Sequence, residues 1–415
     1  MSEKLTVKNV VNINKSTLSA KDNWSTLKYL DTGNITENQI DTLQIFQKGE
    51  KLPSRAKRKV EKGTIIYSTV RPNQKHFGYF DTHSNDLVVS TGFATLDVID
   101  PRINSKYLYY LLTQNSVISQ LQSIGENSTS SYPSIRPEDI GNLSFVFPDI
   151  DIQNKIADIL TFIDKKIQIN NQINQELEAM AKTLYDYWFV QFDFPDQNAK
   201  PYKSSGGKMV YNPELKREIP EGWGVETLKD FESKIITGKT PSRANSDNFG
   251  GEIPFITIGD IRGNTFIYST SETLTDLGAS VQQNKYLPEG SLCVSCIATV
   301  GEIGFTTEWS HTNQQINSIV FEDETNRYYL YFALKNYFEN ANASAKTGNT
   351  FANMNKEDFS GIRIILPRNE IKNNFHKMTE PYFAQIKCLQ GQNQELTQLR
   401  DWLLPMLMNG QVKVE

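Results

Sequence analysis

The sequence predicts an α+β fold: two duplicated α/β domains separated by two long antiparallel coiled-coil helices, related by a pseudo-twofold axis. Three observations carry that expectation. The tetrapeptide Asn-Gln-Glu-Leu occurs at 174–177 and again at 393–396, an offset of 219. At that offset RPEDIGNLSFVFP (Arg136–Pro148) aligns with NKEDFSGIRIILP (Asn355–Pro367), in each case a polar turn and a strand stopped by proline. Each proline is followed by apolar residues at helical spacing. At 415 residues the chain is also too long for one ordinary core.

The first domain is expected over 1–150. GTIIYSTV, from Gly63, is an apolar run behind a glycine turn and reads as a buried strand; its counterpart, after loop insertions shift the offset, is GSLCVSCI from Gly290. The first long helix is expected over 151–190. Ile156, Ile159, Ile163, Ile167, Ile173, Leu177, Met180 and Leu184 recur at steps of three and four with minor slippage (one step of six), a coiled-coil seam rather than a broad core face. Asn170 falls at a seam-like position, where a buried amide fixes register at some loss of stability. An extended connector rich in Pro, Gly and Ser is expected over 191–222, the second domain over 223–368, and the second helix over 369–409. Its stripe runs through Phe375, Met378, Tyr382, Ile386, Leu389, Leu396, Leu399 and Leu403. The alternative is two unrelated amphipathic helices, each packed on its own domain.

Composition is that of a soluble globular protein, 38% hydrophobic and 22% charged. MSEKLTVKNV lacks the apolar stretch of a signal peptide, no segment is long enough to span a bilayer, and three cysteines point to a reducing cytoplasm. Asn34-Ile35-Thr36 is therefore expected to stay unglycosylated. A net charge of −5 does not resemble a protein that grips nucleic acid unaided. One stretch departs from that average: Gln47–Gly63 carries Lys48, Lys51, Arg55, Lys57, Arg58, Lys59 and Lys62 against Glu50 and Glu61. It is either a solvated loop or a segment that displaces counterions from a phosphate backbone.

Catalytic signatures are missing. Gly238-Lys239-Thr240 has the end of a phosphate loop, but Ser233 stands where its first glycine belongs. Cys293 and Cys296 have zinc-like spacing without a second pair, and alternate with Val294 and Ile297 as strand core. His76, His83, His311 and His376 form no metal or triad pattern. No nucleophile elbow, Asn/Asp-Pro-Pro-aromatic methyltransferase motif or nuclease carboxylate cluster is present. Such a chain binds or organises rather than catalyses.

ELEAMAKTLYDYWFVQFDFPD (Glu176–Asp196) and GGKMVYNPELKREIPEGW (Gly206–Trp223) resemble the specificity (S) subunit of type I restriction-modification systems. GKTPS, IPFITIGDI, TVGEIGF, NQQI and the ending LRDWLLPMLMNGQV extend the resemblance through the second half, and YLDTGNIT (Tyr29–Thr36) with the basic segment through the first. The resemblance implies two target-recognition domains, each reading half of a split double-stranded DNA site, and helices that act as a spacer. It implies no catalysis and no cofactor on this chain. Two modification (methyltransferase) subunits would use S-adenosylmethionine, and restriction subunits would use ATP and magnesium, in a bacterial or archaeal cytoplasm.

Domains at the two ends of such a spacer should dock about one helical turn apart, ~34 Å. Expected DNA contacts are Lys57, Arg58, Lys59, Arg71 and Lys75 in the first domain, and Lys239, Thr240, Arg243, Lys346 and Thr350 in the second. The loops Asn127–Tyr132 and Thr347–Phe351 hold equivalent places and could reach base edges. Tyr185, Tyr187, Trp188 and Phe189, with Trp402, Leu404 and Met406, are expected to form a docking face for partner helices; the alternative is that they cap the helices against the domains. The competing functional reading is a scaffold that pairs enzyme subunits without reading DNA sequence.

Overall fold

The structure, a computed structural model, describes residues 4–19, 21–83, 86–128, 132–345 and 353–414, with side chains left aside for 342–345. Among these residues, five α-helices reach eight residues: α1 (Ser105–Leu112), α2 (Asn115–Glu126), α3 (Ile150–Tyr185), α4 (Arg327–Ala345) and α5 (Asn369–Met408). The chain divides into two compact units, 1–165 with 397–415, and 166–396. The long helices therefore belong partly to each unit, rather than lying outside both as separate elements.

In the first unit Thr26–Leu30 and Leu87–Ser90 form the parallel centre of a four-stranded sheet whose edges are Gln44–Gln47 and Ala56–Lys59. A second, antiparallel sheet places Ile65–Ser68 between Phe93–Val98 and Phe77–Tyr79. As its apolar run requires, every residue of Ile65–Ser68 is buried. Lys4–Thr6 pairs antiparallel with Ser144–Val146, which ends two residues before Pro148, the proline that precedes α3.

The second unit repeats this closure: Gly224–Thr227 pairs with Arg363–Leu366 ahead of α5. Its five-stranded sheet centres on Leu292–Ser295, again buried at every position. A three-stranded sheet of Glu272–Leu274, Phe249–Ile256 and His311–Thr312 completes it. Cys293 and Cys296 are core residues, as expected, and burial pushes their thiols up to about 12 and about 11.

The helices pair antiparallel. In the second unit the Asn170 amide donates to Asn393 Oδ1 at 2.9 Å, while further along the pair Tyr185 lies 6.2 Å from Phe375, ring centre to ring centre. In the first unit Arg400 Nη1 donates to Asp164 Oδ1 at 3.2 Å, and Leu407 shares a core with Ile156 and Leu160. The seam is not quite the predicted one. Ile156, Ile163 and Ile167 are buried, but Ile159, Ile173 and Met180 are exposed; the buried positions in their place are Leu160, Asn174 and Ala181. On α5, Met378 and Leu399 are likewise exposed, whereas Phe375, Ile386 and Leu389 are buried. An apolar count slips by one position at the three α3 sites, and at one of them the buried side chain is the polar Asn174.

The connector is built rather than merely extended. A π-helical turn, Asp186–Val190, ends α3, and Met209–Asn212 pairs with Arg217–Pro220 as a hairpin. Phe194 stacks between Tyr202 (4.7 Å) and Trp223 (5.0 Å), tying the connector to the aromatic core of its unit.

Candidate nucleic-acid interface

One corner is built the same way in both domains. In the first, the buried strand Ile65–Ser68 leads into Thr69 and Val70, and Val70 bridges to Ser134 while Ile135 N donates to Thr69 O at 2.8 Å. Arg71 then takes a left-handed conformation, φ 48°, unusual for a side chain this long. A short turn, Pro72–Gln74, follows, and Lys75 is left-handed too, φ 56°.

In the second domain, Ile297 bridges to Asn353, Met354 N donates to Cys296 O at 2.8 Å, and Ala298 takes φ 66°. Ala298 thus stands where the first domain has Arg71. The alignment of GTIIYSTV with GSLCVSCI, carried a few residues further, contains this equivalence; no residue pattern marks it as a corner.

Arg71 lies 4.3 Å above the ring of Tyr132, so the structure brings this candidate to the end of the Asn127–Tyr132 loop. Thr129–Ser131, Lys346, Thr350 and the Thr347–Phe351 loop all lie outside the described residues. Lys75 pairs with Glu37, and backbone bonds from Glu37 N to Lys75 O and from Asn38 N to Phe77 O lock the Ile35–Ile40 hairpin onto the corner. Lys57, Arg58 and Lys59 form a separate group on an edge strand. There Lys57 is exposed, whereas Lys59 is held by Asp22, whose carboxyl this pairing lowers. Burial lowers the Arg58 pKa.

Around Ala298 the second domain gathers its own polar loops. Lys239 N donates to Thr312 O at 3.0 Å, Thr240 Oγ1 donates to Gln314 Oε1 at 2.6 Å, and Cys296 N donates to Gln315 O at 2.8 Å. A Cβ on Gly238 would lie 2.2 Å from Asn313 O and 2.3 Å from Thr312 O, so this close approach requires glycine. Residues after Thr240 form a loop, not the helix that a phosphate loop needs at that point. Lys239 is exposed beside this cluster. Arg243 is not brought into it. Glu272 takes both its terminal nitrogens at 2.8 Å, raising the arginine pKa and lowering that of the carboxylate.

The expected docking face is corrected in part. Tyr185, Trp188 and Phe189 are buried in the aromatic core, where Phe189 meets Tyr329 at 4.8 Å and Phe375 at 5.1 Å. Burying each such ring contributes about 2–3 kcal/mol to the fold, so none is free to receive a partner. Leu404 packs half-buried on the core of its unit and Met406 is half-buried, but Tyr187 and Trp402 are exposed. Beyond its first turn, the open apolar residues of α3 include Ile159, Phe162, Ile169, Ile173 and Met180, at steps of three, four and seven.

Among the described residues no three His, Cys, Asp or Glu side chains gather as a metal site, and no helix is long and apolar enough to cross a membrane. The family described as type I restriction modification DNA specificity domain matches the chain twice, over 2–179 and 220–398. The chain is 34% identical to the type I restriction enzyme HindI specificity subunit of Haemophilus influenzae, covering 92% of this chain and 94% of that one. It is 28% identical to the MjaIX specificity subunit of Methanocaldococcus jannaschii, over 93% of this chain and 84% of that one. In fold it is similar to the S subunit of a type I restriction-modification system from M. genitalium, with TM-score 0.51 at 14% identity, covering 98% and 96% of the two chains.

Proposed function

We infer, from the premise that this chain belongs to the type I restriction-modification DNA specificity family, that its two domains read two different halves of one split DNA site. The chain is a DNA-specificity subunit and is not itself catalytic. The observation that carries the split, asymmetric reading is the corner built twice on one backbone plan with Arg71 in one copy and Ala298 in the other. Equal backbones put equal positions against DNA, and unequal side chains make the two half-sites differ. Arg71, Lys75, Lys57 and Lys239 would contact phosphates or base edges. Arg243, already held by Glu272, would serve the fold of its domain.

A specificity subunit of this family works with DNA and with the modification and restriction subunits of its complex. On our reading two modification subunits bind, and in the first unit the exposed Ile159 and Phe162 of α3 with Trp402 of α5 take a partner helix. S-adenosylmethionine, ATP and magnesium would be used by those partners, in a bacterial or archaeal cytoplasm.

Methylome sequencing of cells carrying this subunit and its modification subunit tests the proposal. A split motif with methyl-adenine on both strands and unlike halves is expected; a stable complex without any motif would leave only the scaffold reading. Exchanging residues 1–150 for those of a relative should change one half alone. Inserting one heptad into both helices should widen the gap by about three base pairs, since seven residues add about 10 Å.

A further inference from the structure

In the first unit a line of charges leads from the Lys75 corner to the helices. Lys75 Nζ lies 2.5 Å from Glu37 Oε1, and Glu37 Oε2 lies 3.9 Å from Arg400 Nη2. Arg400 is also held by Asp164 of α3 at 3.2 Å and by Asp401 at 2.9 Å, and Asp164 accepts the Tyr110 hydroxyl at 2.6 Å. Burial opposes the Arg400 cation, but the surrounding carboxylates outweigh it and raise the pKa. Asp401 is half-exposed and screened by water, which leaves Arg400 with attraction for Glu37. At the offset of 219, the positions matching Arg400 and Asp164 are Ala181 and Phe383, both buried in the apolar core of the second unit. The second unit therefore has no such ionic link at the matching positions.

The Lys75–Glu37 pair is about one-third exposed on each side, so a DNA phosphate can compete for the lysine. We propose that Arg400 is a positioning residue for DNA binding by the first domain: when a phosphate draws Lys75 away, Glu37 transfers to Arg400. The hairpin then stays seated on the helix pair while its lysine is engaged. Without Arg400, Glu37 would keep Lys75 and oppose binding. The proposal rests on Lys75 being a phosphate contact.

The test uses the full-length chain and a short mixed-sequence DNA duplex, because phosphate contacts do not depend on sequence. K75Q should reduce the slope of log Kd against log salt by about one. R400Q should weaken binding about two- to fivefold, the range of one exposed ion pair, with the wild-type slope. Adding E37Q to R400Q should restore wild-type affinity, because no carboxylate then competes for Lys75. Weakness that persists in the double variant, or no effect of R400Q, overturns the relay. An unchanged slope in K75Q instead removes the phosphate contact on which it rests. If R400Q does not fold, R400K preserves the charge beside Asp164 but falls short of Glu37, and the same loss and rescue are expected.

Discussion

Asn170 and Asn393 join side chain to side chain across the helix pair, the Asn170 amide donating to Asn393 Oδ1 at 2.9 Å while Asn393 donates to Asn171 at 2.7 Å. Asn170 is fully buried. One turn on, Asn174 is nearly as buried, yet neither atom of its amide has a protein partner among the described residues. A buried amide that makes no bond is destabilising by about 1–3 kcal/mol, whereas a bonded one roughly breaks even. Asn174→Leu should therefore raise stability by about 1 kcal/mol or more in urea denaturation. Asn170→Leu should gain less, because it strips Asn393 of its donor. Equal gains would mean that the Asn170–Asn393 bond contributes nothing.

Glu178 of α3 anchors the second unit to its own helix. Its carboxylate accepts from the Tyr331 hydroxyl at 2.7 Å and pairs with Lys335. Glu178→Leu should destabilise by about 2 kcal/mol, discounted from a buried pair because Lys335 is one-third exposed. Lys335→Met in the same chain should recover part of that loss. A double-mutant cycle with no coupling energy would show the pair to be incidental.

The duplicated plan was legible because proline-ended strands and buried glycine-led runs are local patterns. Leu292–Ser295 and Ile65–Ser68 sit where alignment puts them. The seam was legible only in part: Leu160, Asn174 and Ala181 fill positions that an apolar count assigns to Ile159, Ile173 and Met180, because each of these exposed apolar residues stands one position before the buried one. Trp188 and Phe189 look like an adhesive surface in sequence, because the residues that cover them, Tyr329 and Phe375, lie far along the chain. The doubled corner was hidden for a related reason. The positive φ at Arg71 follows directly on the Val70–Ser134 bridge, a contact 64 residues apart that no local pattern records.

Gly238 tests how the second domain presents Lys239 and Thr240. A methyl at this position meets two backbone carbonyl oxygens that cannot rotate aside. Gly238→Ala should destabilise by about 1–3 kcal/mol, as overpacking does. In a methylome it should relax or abolish one half of the motif and leave the other. Unchanged stability together with an unchanged motif would mean that this loop stands apart from recognition.

His311 gives the second domain an acid weakness. Its ring is fully buried, 4.3 Å from the ring of Tyr286, and neither nitrogen has a protein partner among the described residues. Burial lowers its pKa to about 4 from 6.5. The unfolded chain therefore binds a proton at a higher pH than the folded one, and stability falls as pH drops through the window from 6.5 to about 4. Integrated over that window the loss is at most about 3 kcal/mol. His311→Phe keeps an aromatic ring against Tyr286 and removes the titration. Denaturant midpoints for the two proteins should diverge steadily across the window, with wild type falling faster. Parallel curves would show that the imidazole takes up its proton without opening the fold.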